Sequence, residues 1–347
     1  MLKITLDLHL CAATMSCMIL VLDIASSIEF WRQRYPLNRS PKAQIPHAFS
    51  TCAECKRDIL PLMPTWIDDE FLAPTDGRLH VLTLDHRFSK KTNSFAVHSW
   101  SGALPPGSLL ELSPHVYVES PAFMFLHAAQ ILSPSALIAF GDELCGLYSF
   151  DRREERGFRK RTAPLLSKLA LERYLLQAKR CRGHEMCKNV LPHIIERSAS
   201  PMETFDEMTT CLPYRKGGYG ILQPAMNVGV PLSSRAARIA KRKTVYLDMG
   251  YVTKSLDIEH HGKLDHSSDE DKASDRARVN ALAEMGFEVV ELTADQVSDL
   301  YAYEYIVERI ARKLGKRLDK RAMGATPQRV ALRQAIFDWN RSSGKIR

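Results

Sequence analysis

Thr244-Val245-Tyr246-Leu247-Asp248-Met249-Gly250-Tyr251 and, after a short connection, Leu256-Asp257-Ile258-Glu259-His260-His261-Gly262 form the stretch on which the fold reading turns. Residues 244–249 and 255–260 read as two strands joined by a tight connection at 250–254. Downstream, 269–285 reads as a helix that Gly286 stops, and 287–292 as a third strand. Thr293-Ala294-Asp295-Gln296 has a capping-box pattern. It opens a helix with Val297, Leu300, Tyr301, Ile310 and Leu314 at roughly helical spacing. Upstream, Ser200-Pro201-Met202-Glu203 starts a helix to about residue 210, and Gly217-Gly218-Tyr219-Gly220 is a turn before a short strand. A helix between strands 255–260 and 287–292 predicts a crossover in a mixed sheet flanked by helices, and so an α/β class.

Three carboxylates stand out within this frame: Glu203 on the first helix, Asp248 near the end of one strand and Glu259 on the next. Neighbouring antiparallel strands bring residues near a shared turn together, and a helix over that edge adds a third oxygen donor. Hard divalent cations such as Mg²⁺ take oxygen ligands of this kind, and such an ion activates water and neutralises charge on a phosphodiester. His261 follows Glu259 by two residues, so strand alternation puts both on one face, where an imidazole could exchange protons near neutrality. Bland readings stand beside these: Ser200-x-x-Glu203 is itself a capping box, and Asp275 with Arg278 is an ordinary helical pair.

The rest of the chain sets the context. It has 347 residues, 45% hydrophobic and 25% charged, which suits a globular protein of more than one domain. No apolar run is long enough for a membrane helix; the nearest, 15–28, is interrupted by Asp23. Together with a poor signal-peptide pattern, this predicts a cytoplasmic protein. The net charge of +8 sits wholly on residues 301–347, which hold 12 Lys/Arg against 4 Asp/Glu. A basic tail attracts polyanions, or it is a solvated helix face. Four regions are expected: a strand-leaning 1–110 with no catalytic pattern, a helical 111–195, the α/β domain 196–315, and a basic extension 316–347.

The order Ser-Pro-x-Glu, Leu-Asp-x-Gly-Tyr, Asp-Ile-Glu-His-His-Gly, a downstream His266, and Ser-Asp-Arg-x-Arg before Gly-Phe-Glu-Val-Val resembles the PD-(D/E)xK superfamily of restriction-endonuclease-like proteins. The branch it is most similar to comprises bacterial proteins with a very-short-patch-repair-endonuclease-like domain, some resembling abortive-infection antitoxins. The resemblance covers roughly 196–300, with weaker likeness at Val116–Pro121 and Phe140–Gly146. It implies a restriction-endonuclease-like mixed sheet preceded by a separate α+β region, and Mg²⁺- or Mn²⁺-dependent hydrolysis of DNA. In that reading Asp248 and Glu259 bind the metal with Glu203 assisting, and His261 stands where the superfamily often has Lys. Arg276 and Arg278 match basic residues of the following helix. Together with Arg235, Arg238, Lys241, Arg242 and Lys243 they are expected to contact DNA phosphates. Members usually read Glu-x-Asp-Gly where this chain has Glu259-His260-His261-Gly262. That departure favours the alternative, a non-catalytic DNA-binding antitoxin or regulator with a partner in a defence or toxin–antitoxin system. Cys52 and Cys55, and Cys181 and Cys187 with His184 between, lie too far apart in sequence to favour a shared structural zinc.

Overall fold

The computed structural model describes residues 19–34, 42–43, 59–84, 92–261, 269–320 and 323–342. The chain forms two compact units: Met1–Leu137, Leu169–Leu191 and Gly344–Arg347 make the first, and Ile138–Lys168 and Pro192–Ser343 the second. The boundaries expected at 110, 195 and 315 do not coincide with this division. The helical companion region is shared between the units, and nearly all of the basic extension belongs to the second. Among the described residues, no helix is long and apolar enough to cross a membrane.

The first unit is built on a six-stranded mixed sheet. Its strands are β1 (Leu20–Leu22), β2 (Lys42–Ala43), β3 (Leu79–Thr83), β4 (Phe95–Ser99), β5 (Leu109–Ser113) and β6 (Val116–Glu119), in the order β2-β5-β6-β1-β3-β4. Strand β1 is wholly apolar and buried, as a central strand must be when both faces are covered. Helix α1 (Ile24–Arg34) follows it directly, and the Trp31 indole N–H donates to the Glu119 carbonyl at 2.8 Å. Because β1 runs parallel to β6, with Leu22 beside Val118, the next residues of each, Asp23 and Glu119, emerge at the same end of the sheet. Ser120 then caps α2 (Pro121–Ala128), its hydroxyl accepting from the Phe123 amide, with proline in the first turn.

Helix α3 (Pro134–Cys145) spans the division, and β7 (Tyr148–Phe150) with β8 (Phe158–Lys160) forms a hairpin in the second unit. Helix α4 (Lys168–Gln177), from its second residue, and α5 (His184–Val190) return to the first unit. The main sheet of the second unit follows α6 (Pro201–Cys211). It comprises β9 (Ala225–Pro231), β10 (Thr244–Tyr251), β11 (Leu256–His261) and β12 (Glu288–Thr293), ordered β12-β11-β10-β9, with α7 (Ser234–Ala240) between β9 and β10. Strands β9, β10 and β11 make an antiparallel meander. Helix α8 (Asp269–Glu284) crosses over to β12, which lies parallel to β11. This is the mixed sheet and crossover read from the sequence.

Helices α9 (Ala294–Ser298), α10 (Leu300–Lys313) and α11 (Pro327–Arg341) complete the second unit. The capping box at Thr293 and Gln296 is formed, and Thr326 caps α11. Phe205 of α6 stacks on Phe337 of α11 with centroids 4.7 Å apart, beside buried Tyr303 and Ile336. Gly217 (φ 95°) and Gly218 let this corner close, since a Cβ on either would collide with the backbone of Gln328 or Leu212. Two cations of the basic tail turn inward. Arg329 is 2% exposed, lies 3.7 Å from the Tyr219 ring centroid and donates to Glu304 at 3.1 Å. Arg333 is also buried, with Phe205, Tyr303 and Phe337 around its guanidinium.

Candidate functional site

The β9–β10 ladder pairs Leu247 with Val228 and Met249 with Met226, but it lapses at Asn227 and Asp248 between them. Asn227 has φ 46°, a left-handed conformation that asparagine tolerates better than most residues. The Asn227 amide donates 3.0 Å to Glu203 Oε2 and 2.9 Å to the Arg197 carbonyl. Helix α6 carries Glu203 because Ser200 caps it, accepting from the Glu203 amide. The Glu203 carboxylate does not close the expected box on Ser200; it accepts from the Ala199 amide at 2.8 Å. Burial, and then the charge of Asp248, push the Glu203 pKa up to about 7. A groove of about 460 Å³ adjoins Asn227, bordered by Lys168, Arg197, Gln223 and Tyr246.

Strand β11 contributes more than the sequence reading assigned. Asp257 and Glu259 are both buried, and Arg278 of α8 inserts its guanidinium between them. One Arg278 nitrogen pairs with Glu259 Oε2; the other lies 3.8 Å from Asp257 Oδ2 and donates to the Tyr246 carbonyl at 3.3 Å. Neither Asp257 oxygen accepts a hydrogen bond among the described residues. Burial, then the charge of Glu259 and that of Asp248, hold the Asp257 pKa up at about 9. Burial opposes the Arg278 charge, but Glu259, Asp248 and Asp257 more than offset it and raise its pKa. On the same strand His260 Nδ1 lies 2.8 Å from Asp206 Oδ2 of α6. Burial disfavours the imidazolium, yet Asp206, then Glu203 and Asp248, keep the His260 pKa above its usual value.

The three acids named from the sequence are therefore electrostatic neighbours with different partners. Among the described residues their ligand atoms do not all fall within 4.8 Å of one another, so they form no tight three-ligand set. Asn227 and Ala199 hold Glu203, and Arg278 holds Glu259. His261 closes β11 opposite Thr293, and its side chain, like His266, lies outside the described residues. Of the expected phosphate contacts, Arg235, Arg238, Lys241, Arg242, Lys243 and Arg276 are exposed. Arg235 lies 3.2 Å from Glu284, and Arg242 donates to Ser274 at 2.8 Å. Arg278 is instead drawn into the acidic cluster. Cys52 and Cys55 lie outside the described residues, while Cys181 and Cys187 are free thiols.

Asp206, Asn227, Asp257 and His260 were missed by sequence reasoning. Asp257 carried the one available signal, a second acid two residues before Glu259 on the same strand. No family model, curated protein or solved structure matches the chain.

Proposed function

We propose that the second unit is a restriction-endonuclease-like module that hydrolyses DNA phosphodiesters with a divalent cation. The observation carrying this reading is the gathering of acid at one place: Asp248, Asp257 and Glu259 all act electrostatically on Arg278, and Glu203 feels the charge of Asp248. The order of helix, three-strand meander, crossover helix and parallel strand supports it. The donor set fits a hard ion, since Mg²⁺ takes one or two carboxylates and completes its shell with water and phosphate. Asp248 with Glu259 or Asp257 would hold the ion, which supplies a polarised water and neutralises charge on the phosphate. Glu203, titrating near pH 7, accepts or returns a proton at its carboxylate. Exposed Arg235, Arg238, Lys241, Arg242, Lys243 and Arg276 position the DNA backbone. The proposal places the protein in the cytoplasm.

A second reading is favoured by one observation. Arg278 already supplies the positive charge that Glu259 needs, which suits a DNA-binding regulator or antitoxin that has given up the metal. Nicking of supercoiled plasmid by the full chain in Mg²⁺ or Mn²⁺ separates the two. The enzyme reading expects cleavage that a chelator and Asp248→Ala both abolish. Salt-dependent DNA binding without cleavage by the wild type selects the regulator, and absence of both removes either role.

A further inference from the structure

The first unit holds a second cluster, built from five separate places in the chain. Asp23 follows β1, Glu119 ends β6, His127 lies in the last turn of α2, and His80 and His98 stand on β3 and β4. Asp23 is 1% exposed, Glu119 0% and His127 8%. His127 Nδ1 lies 2.9 Å from Glu119 Oε1 and 3.5 Å from Asp23 Oδ1. These three ligand atoms fall within 4.8 Å of one another. On the other side of Asp23, His98 Nε2 is 3.8 Å from Oδ2, and the His98 ring stacks on His80 with a 3.0 Å nitrogen contact. Trp100 and Phe123 hold the His127 ring edge-on and stacked, with centroids 5.3 and 5.8 Å away.

Two carboxylates face each other here with no Lys or Arg at ion-pairing distance among the described residues. Asp23 Oδ1 and Glu119 Oε2 are buried with no N–H or hydroxyl donor among the described residues, and the two carboxyl groups lie close enough to interact directly. Two facing buried carboxylates ionise together only at high cost, and a cation between them removes it. We infer that Asp23, Glu119 and His127 bind a divalent transition-metal ion, with His98 orienting Asp23 from its far oxygen. A mixed imidazole and carboxylate set selects Zn²⁺, Co²⁺, Fe²⁺ or Mn²⁺ over Mg²⁺ and Ca²⁺, which prefer oxygen alone. Three protein ligands leave a further coordination position for water or substrate. The ends of adjacent parallel strands are where open α/β sheets place ligands.

This inference is independent of the nuclease reading, and the test keeps them apart. Chelator-stripped full-length chain is titrated calorimetrically with Zn²⁺ and, separately, Mg²⁺, and its melting is followed with each. Wild type and Asp248→Ala are expected to bind one Zn²⁺ per chain with equal affinity and to melt higher with Zn²⁺, whereas Mg²⁺ leaves the first unit unoccupied. Glu119→Gln should weaken Zn²⁺ binding by roughly 100-fold or more. It should also melt at or above the metal-free wild type, because an uncharged amide replaces a buried acid. As a second measurement, visible absorption of the Co²⁺ complex should change in His127→Gln. Absence of saturable Zn²⁺ binding by the wild type, unchanged binding by Glu119→Gln, or loss of binding in Asp248→Ala would each overturn the assignment.

Discussion

The two acidic clusters solve the same electrostatic problem in different ways. In the second unit, Asp257 and Glu259 are balanced by Arg278, a permanent cation carried on a helix. In the first, Asp23 and Glu119 face His127 and His98, rings that carry no permanent charge and when neutral can donate an electron pair. A guanidinium settles a buried carboxylate and cannot coordinate a metal. An imidazole settles it only while protonated and becomes a ligand once it is not. The first cluster is thus the better built for a transition metal, and the second for a hard ion that displaces or shares the arginine.

The largest effect separating the clusters should come from Arg278→Met. Removing one partner of a buried ion pair strands the other charge, at a cost of about 3–5 kcal/mol. Urea unfolding at pH 8 should show this loss, and Glu259→Gln added to Arg278→Met should recover much of it. Glu119→Gln in the first unit, where no guanidinium is stranded, should not reproduce it. If the two substitutions destabilise equally, the contrast between the clusters is wrong.

The next effect is pH dependence. A carboxyl whose pKa rises on folding binds its proton more tightly in the native state. Its contribution is complete below the unfolded value and is lost as pH rises through the folded one. Asp23 moves from 3.8 to about 6, so metal-free stability should fall between pH 4 and pH 7, by about 3 kcal/mol from this group. Glu203, moving from 4.5 to about 7, adds a fall in the same direction over a slightly higher range. Thermal melts in chelator check the slope. Asp23→Asn should flatten its lower part, and saturating Zn²⁺ should do likewise without a mutation.

The smallest effects are at the helix caps that aim the clusters. Ser120→Ala and Ser200→Ala remove the hydroxyls that start the helices bearing His127 and Glu203, each costing about 1 kcal/mol. Differential scanning calorimetry should register both. Ser120→Ala alone should also weaken Zn²⁺ binding, because it loosens a ligand-bearing helix.

Local signals in the sequence were legible. Ser200 and Thr293 both cap helices, and strands near 244–251, 256–261 and 288–293 are present with the crossover between the last two. Charge did not read as well. Arg276 and Arg278 look equivalent on the page, yet one stays exposed and the other turns into the cluster, because only the fold reveals which side of α8 meets acid. The first-unit cluster left no metal-ligand spacing in the sequence. Asp23 and His127 lie 104 residues apart, and Asp23 reads merely as an interruption in an apolar run. Periodicity reports which face is buried, not which distant strand ends meet.

The inward-facing Arg329 changes what the C-terminus is for. A charge count makes the final helix look like a disposable arm. In the fold it is a plug, stacked on Tyr219, tied to Glu304 and wedged against the glycine corner. Trimming the protein back to residue 320 would uncap the aromatic interior around Phe205 and Tyr303, and the shortened chain would aggregate even though only a basic tail had been removed.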